Sequence, residues 1–146
     1  MTHKTLALDI SSDYIGICYD GTELETIRLK HPAIANRCDM AGRMIASYIL
    51  LYCDIDLVVI ESPVARYANA VIAQSRVAGA VLAILAQYNL AYIEVSPTSA
   101  KKALTGSGKA TKQQMMDCVP GSRDDHQADA YALWLVGNSQ ALEVRA

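Results

Sequence analysis

Asp9, Glu61 and Asp129 are three carboxylates placed where a chain usually puts hydrocarbon. Asp9 interrupts an apolar run after Leu8, Glu61 ends the most apolar stretch in the chain (Leu57-Val58-Val59-Ile60), and Asp129 sits among Ala128, Ala130, Tyr131, Ala132, Leu133 and Trp134. An unpaired buried charge costs several kcal/mol, or its pKa moves until the group is neutral, so a shared cation is the economical explanation. Mg²⁺ is a hard ion that prefers oxygen ligands, and a pair of such ions can activate water on one side of a phosphodiester and stabilise the leaving oxygen on the other. The chemistry these residues suit is metal-dependent cutting of a phosphodiester. His126 and Asp129 are three apart, Asp125 and Asp129 four apart, so on a helix each pair shares a face. His126 is a candidate ligand or proton shuttle, and its softer nitrogen makes Mn²⁺ more competitive. The acids also have structural readings: Asp9 pairing with a lysine, Glu61 ending a strand, and Asp124 and Asp125 favouring a helix N-terminus through its dipole.

Regular elements must bring these distant positions together. Thr5–Ile10 alternates, with Leu6, Leu8 and Ile10 on one face and Ala7 and Asp9 on the other, the period of a strand. Tyr14–Tyr19 and Glu23–Leu29 read as two more strands joined by a hairpin at Asp20-Gly21. Beyond Pro32, Ile34, Cys38, Ala41, Ile45, Tyr48 and Tyr52 recur at helical spacing. Asp56–Glu61 reads as a strand buried on both faces, 68–87 as an Ala/Gly-rich helix, 91–95 as a fifth strand, and 124–137 as a last helix with Ala128, Ala132 and Leu135 on its apolar face. Residues 97–123 are polar and carry no element in this reading. The expected fold is a mixed α/β sheet of five strands, three antiparallel and then two parallel, flanked by helices.

The chain has 146 residues, 52% hydrophobic and 19% charged, the size and composition of one globular domain over 1–146 without repeats or a linker. No stretch reaches the roughly 18 uncharged apolar residues of a membrane span. The N-terminal run before Asp9 is too short for a signal peptide, so the expectation is a cytoplasmic, reducing location. Cys18, Cys38, Cys53 and Cys118 form no metal-binding spacing and are expected to be buried free thiols. The net charge of −2 argues mildly against a nucleic-acid binder, but between Pro97 and Arg123 five basic residues face one acid, Asp117, so a local positive field is expected there.

In order along the chain, Leu8-Asp9-Ile10-Ser11-Ser12, Val58-Val59-Ile60-Glu61, Gln74-Ser75-Arg76-Val77-Ala78-Gly79, the 101–114 segment with Lys101, Gly106-Ser107-Gly108, Lys112 and Gln114, and His126-Gln127-Ala128-Asp129-Ala130-Tyr131-Ala132-Leu133 resemble the RuvC-type Holliday junction resolvases. The resemblance runs over nearly the whole chain. It implies a ribonuclease H-like fold, a homodimer with two active sites, and Mg²⁺-dependent symmetric nicking of four-way DNA junctions. By that resemblance Asp9, Glu61 and Asp129 are catalytic, metal-holding carboxylates, and His126 occupies a position that is Asp or His in the family. Lys101 and Lys112 fall where the family places DNA-facing lysines, with Lys102 and Lys109 as further candidates. The Ala/Gly-rich helix, around 73–85, is the implied dimer face. Two departures stand out. The stretch from Lys112 to Asp129 is short, which suggests a compact, phage-encoded form, and three residues after Glu61, where an aromatic wedge for the junction is expected, stands Val64, leaving Tyr67 as the nearest aromatic candidate.

Three other readings compete: a nuclease for other branched DNA or RNA hybrids, a non-catalytic junction-binding protein, and an actin-like ATPase suggested by the segment around Asp9. The retained carboxylates weigh against the second. The chain leaves no room for the second nucleotide-binding segment that the third requires.

Overall fold

A computed structural model of the protein describes residues 4–63 and 68–145. In chain order the elements are β1 (Lys4–Ile10), β2 (Tyr14–Tyr19), β3 (Glu23–Arg28), α1 (Ile34–Leu51), β4 (Ile55–Glu61), α2 (Ala68–Gln87), β5 (Ala91–Val95), α3 (Pro97–Thr105), α4 (Lys112–Asp117) and α5 (Asp125–Arg145). The five strands form one sheet in the order β3-β2-β1-β4-β5. Strands β1 to β3 pair antiparallel, while β4 runs parallel to β1 and β5 parallel to β4. This is the mixed sheet that the period-two pattern predicts. Between β2 and β3, Asp20 and Gly21 both have positive φ, at 50° and 73°, and the Thr22 N–H donates to the Tyr19 carbonyl, the geometry of a primed hairpin turn.

Strand alternation divides the core into two layers. Leu6, Leu8 and Ile10 of β1, with Ile15 and Ile17 of β2 and Val58 and Ile60 of β4, pack under α1 and α2. Helix α1 contributes Ala41, Ile45, Tyr48 and Ile49, and α2 contributes the stripe Val77, Val81 and Leu85 at four-residue spacing. On the opposite face Ala7, Cys18, Val59 and Val95 pack against Ala100, Met115, Ala128, Ala130, Ala132 and Leu133 of α3 to α5. Small residues on this second face let α5 lie close to the sheet. A Cβ on Gly16 of β2 would sit 2.1 Å from the His126 carbonyl oxygen, and one on Gly137 would sit 2.2 Å from Cγ2 of Val59.

The structure departs from the sequence reading in four places. The 97–123 segment contains two helices: Ser96 caps α3 by accepting from the Ser99 N–H, with Pro97 at its start, and Thr111 and Gln114 form a capping box on α4. Helix α5 continues past Gly137 to Arg145, because that glycine serves close packing rather than termination, and Leu135 is half-buried rather than core. Of the four free cysteines Cys18 is buried, its thiol pushed up to about 12 by burial, whereas Cys38 is half-buried and Cys53 and Cys118 are exposed. Lastly, Asn69–Gln87 of α2 is long and apolar enough by length and composition to cross a membrane, and 17% of that window is buried. Tyr67 and Val64 lie outside the described residues.

The contact at Gly16 leads to a stability prediction. Gly16→Ala should push the start of α5 away from β2 and lower stability by about 1–3 kcal/mol, as overpacking of a close contact does. Thermal denaturation should show the melting temperature falling by several degrees.

Candidate active site

The sheet sets the first two carboxylates side by side. Leu8 pairs with Ile60 across the parallel β1–β4 ladder, so the next residues, Asp9 and Glu61, are neighbours on the face covered by α5. Both stand at the C-terminal ends of their strands, where the ladder finishes and the backbone turns away. Asp9 is 8% exposed. Nearby, the Gln74 side chain of α2 donates to the Ile10 carbonyl at 2.9 Å and ties the end of β1 to that helix.

The beginning of α5 supplies the remaining residues. Asp124 precedes the helix and accepts the Gln127 N–H at 2.9 Å through one carboxylate oxygen, while the Thr26 hydroxyl of β3 donates to the other at 2.7 Å. Asp124 therefore caps α5 and anchors it to the sheet, the structural role its position suggested. The first turn is seated over Gly16, which brings His126 above β2. Its Nδ1 lies 3.5 Å from Oδ2 of Asp9, and its ring stacks on Tyr14 with centroids 4.6 Å apart and planes 19° from parallel. Asp129 follows one turn later, half-buried over the same strand ends.

Electrostatics identify these groups as a coupled cluster. Glu61 is pushed up to about 8, first by burial, then by the charges of Asp9 and Asp129, with Lys101 opposing. Asp129 is pushed up to about 7 by burial and by Asp9 and Asp125, with Lys101 and His126 opposing. Contact with Asp9 raises His126 above its ordinary value against the effect of burial, and the charges of Asp125 and Asp124 add to the rise. Burial pushes Asp125 up, but its salt bridge to Lys112 and the charge of His126 outweigh that, so its pKa is lowered.

The expected lysines divide into two groups. Lys101 of α3 acts electrostatically on both Glu61 and Asp129. Lys112, the first residue of α4, reaches Asp125 at 3.0 Å and also feels Asp129 and Asp9. Lys102 of α3 and Lys109, in the turn before α4, are exposed and, among the described residues, their side chains make no hydrogen bond or salt bridge to the carboxylates. Sequence reasoning missed Tyr14, Gly16, Thr26 and the Gln74 contact. A glycine inside a strand does signal close approach of another element. Nothing local marked the other three.

A divalent cation suits this donor set. Burial and the neighbouring acids raise the pKa values of Glu61 and Asp129, a strain that positive charge would relieve, and all but one of the four donors are hard oxygens. Among the described residues, no three His, Cys, Asp or Glu side chains are gathered tightly enough to enclose an ion as they stand. Asp9 and His126 are in contact, and Glu61 and Asp129 are coupled to them through charge.

Comparison with known proteins bears on this arrangement. The family model described as crossover junction endodeoxyribonuclease RuvC matches residues 20–133, a span that takes in Glu61, the lysines, His126 and Asp129. A Gloeobacter violaceus protein named crossover junction endodeoxyribonuclease RuvC is 35% identical over 89 residues, covering 56% of this chain and 51% of that protein. One of the same name from Chloroherpeton thalassium is 31% identical over 88 residues, covering 56% and 47%. The chain thus spans about half the length of these curated relatives. Among solved structures, T. thermophilus RuvC in complex with Holliday junction substrate superposes with a TM-score of 0.83 at 19% identity, over 97% of this chain and 96% of that one. The yeast mitochondrial Holliday junction resolvase Ydc2 gives a TM-score of 0.63 at 10% identity, over 97% and 82%. These structural likenesses show the fold, the ribonuclease H-like architecture expected from the sequence.

The raised carboxylates set the pH dependence of stability. A carboxylate with a folded pKa above its unfolded value adds stability below the unfolded pKa, and that contribution is lost as pH rises through the folded pKa. For Glu61 and Asp129 the window runs from about 4 up to about 8. Metal-free protein should therefore melt at progressively lower temperature from about pH 5 to about pH 8. Glu61→Gln should flatten that slope, and millimolar Mg²⁺ should restore the melting temperature at pH 8 by a few degrees, as ligand linkage requires.

Proposed function

The chain belongs to the RuvC family of crossover junction endodeoxyribonucleases, and on that footing we propose that it resolves four-way DNA junctions by paired, symmetric, Mg²⁺-dependent nicks. The observation that carries this reading is the convergence of Asp9, Glu61, His126 and Asp129 at the strand ends, with Lys101 and Lys112 acting on the same charges. In this reading residues 1–146 make a single nuclease domain.

Asp9, Glu61, Asp129 and His126 would hold the metal, two ions per site, with Mn²⁺ able to replace Mg²⁺. When bound, such ions lower the pKa of water and neutralise charge accumulating on a phosphate in flight. The protein's own groups do the rest. Lys101 and Lys112 hold the phosphate over the carboxylates, and Lys102 and Lys109 add positive charge along the neighbouring backbone. Asp9 and the Tyr14 ring fix the plane of His126, which leaves Nε2 as the nitrogen available to bind or to carry a proton. Tyr67 is kept as a candidate wedge into the junction.

Symmetric nicking needs two copies, and α2 offers the surface for a second. Its sheet-facing stripe is buried, while Ile72 is 49% exposed and Ser75, Arg76, Gly79 and Ala83 are exposed. A helix face on which Ile72 and the small residues Gly79 and Ala83 are exposed suits a close self-complementary contact about a two-fold axis, through which each subunit would act on one strand of the junction.

The test is cleavage of a synthetic mobile four-way junction beside a Y-fork, a flap and an RNA–DNA hybrid, with nick positions mapped. Symmetric nicks in the junction alone, dependent on Mg²⁺, are expected. Asp9→Asn should reduce cleavage at least about a thousandfold, the scale of losing a principal catalytic group, and leave junction binding largely intact. Preferential cutting of the flap or hybrid would redirect the substrate assignment.

A further inference from the structure

A second positively charged surface lies on the opposite side of the carboxylates from Lys101. An open groove is formed by Asp13, Tyr14, Arg28, Lys30, His31 and Pro32 where β3 ends and the chain turns toward α1. Tyr14 links it to the active site, since one face of its ring stacks on His126. Strand register fixes the separation. Asp9 pairs with Gly16 and Gly16 with Thr26, and Arg28 pairs with Tyr14 on the same face of the sheet. Thr26 is thus two strands across from Asp9 and Arg28 two residues further along β3, about 12 Å in all at the usual strand spacing and rise.

The charges of this groove are available to a ligand. Arg28 and Lys30 are exposed, and among the described residues neither side chain forms a salt bridge or hydrogen bond. The one acid lining it, Asp13, is engaged by Arg37 at 2.6 Å. His31 accepts the Ala33 N–H through Nδ1 at 3.0 Å, which fixes the ring and leaves Nε2–H of the neutral form as a donor. Two free cations and one oriented neutral donor, with the local carboxylate neutralised, suit phosphate oxygens spaced along a nucleic-acid backbone.

We propose that this groove is a second phosphate-binding surface, which holds the DNA strand on the β3 side of the catalytic carboxylates through Arg28, Lys30 and His31. The backbone then runs from the lysines of α3 and α4, past Asp9 and Glu61, and over Tyr14 to the end of β3. Contacts on both sides of the scissile phosphate fix its position along the strand, which a single flanking patch does not. The inference rests on the nucleic-acid reading above and deepens it.

The test is four-way junction binding as a function of salt, in an Asp9→Asn background so that DNA is not consumed. Replacing Arg28 and Lys30 together by alanine should weaken binding and reduce the slope of log affinity against log salt by about two. Raising salt from about 50 to about 200 mM should then weaken the variant about twelvefold less than its parent. The charge-conserving exchange Arg28→Lys with Lys30→Arg should keep the parental slope. Alanine variants with parental affinity and slope would overturn the proposal. If Lys101→Ala with Lys112→Ala still weakens binding in that case, the nucleic-acid reading survives and this groove alone is excluded. A parent that binds no branched DNA would overturn both.

Discussion

Mutual repulsion among Asp9, Glu61 and Asp129 is the interaction around which the rest of this structure is organised. Each is at least half-buried, and burial and the neighbouring charges together hold Glu61 and Asp129 well above the usual carboxylate range. Left to themselves these groups would separate or become neutral. They stay together because their backbones are fixed by stronger constraints. The β1–β4 ladder makes Asp9 and Glu61 neighbours whatever their charge, and α5 is held over them by its packing against Gly16 and Val59 and by its cap Asp124, which also accepts from the Thr26 hydroxyl. Stability given up at the strand ends is offset by the apolar layers on both faces of the sheet.

The same geometry would let a chain with a net charge of −2 engage the polyanion proposed as its substrate. Positive charge is concentrated where the carboxylates are. Lys101 partly relieves Glu61 and Asp129, Lys112 is positioned by Asp125, and Arg28 and Lys30 lie beyond Tyr14 on the other flank. Acids elsewhere are engaged in structural contacts, such as Asp20 with Lys4, Asp13 with Arg37, and Glu23 and Glu25 with the hydroxyls of Tyr52 and Tyr48. Overall charge is a poor guide when the field that matters is local.

Much of this was legible in the sequence because it is written at short range. Period-two alternation located the strands and placed Asp9 on the face opposite Leu8, and Asp20-Gly21 marked the hairpin. Helices α3 and α4 were not foreseen. They are short and are defined by the caps Ser96 and Thr111 and by a few buried residues such as Ala100 and Met115, rather than by a sustained apolar stripe. The cysteines were misjudged because a thiol's burial depends on which helix face the sheet covers. The stack of Tyr14 on His126 joins residues far apart in sequence, so no local pattern could announce it. The acids themselves were found by incongruity, charge set in hydrocarbon, which survives without knowledge of the fold.

The central claim is that these carboxylates share a divalent cation, and its most direct test is calorimetric titration of Mg²⁺ or Mn²⁺ at pH 7 in buffers of differing ionisation enthalpy. Carboxylates with pKa values of about 8 and about 7 carry protons at that pH and must release them to bind metal. The expected result is saturable binding with net release of about one proton per site, reduced in Glu61→Gln. Binding without proton release, or binding unchanged when Asp9, Glu61 and Asp129 are replaced together by their amides, would contradict the account.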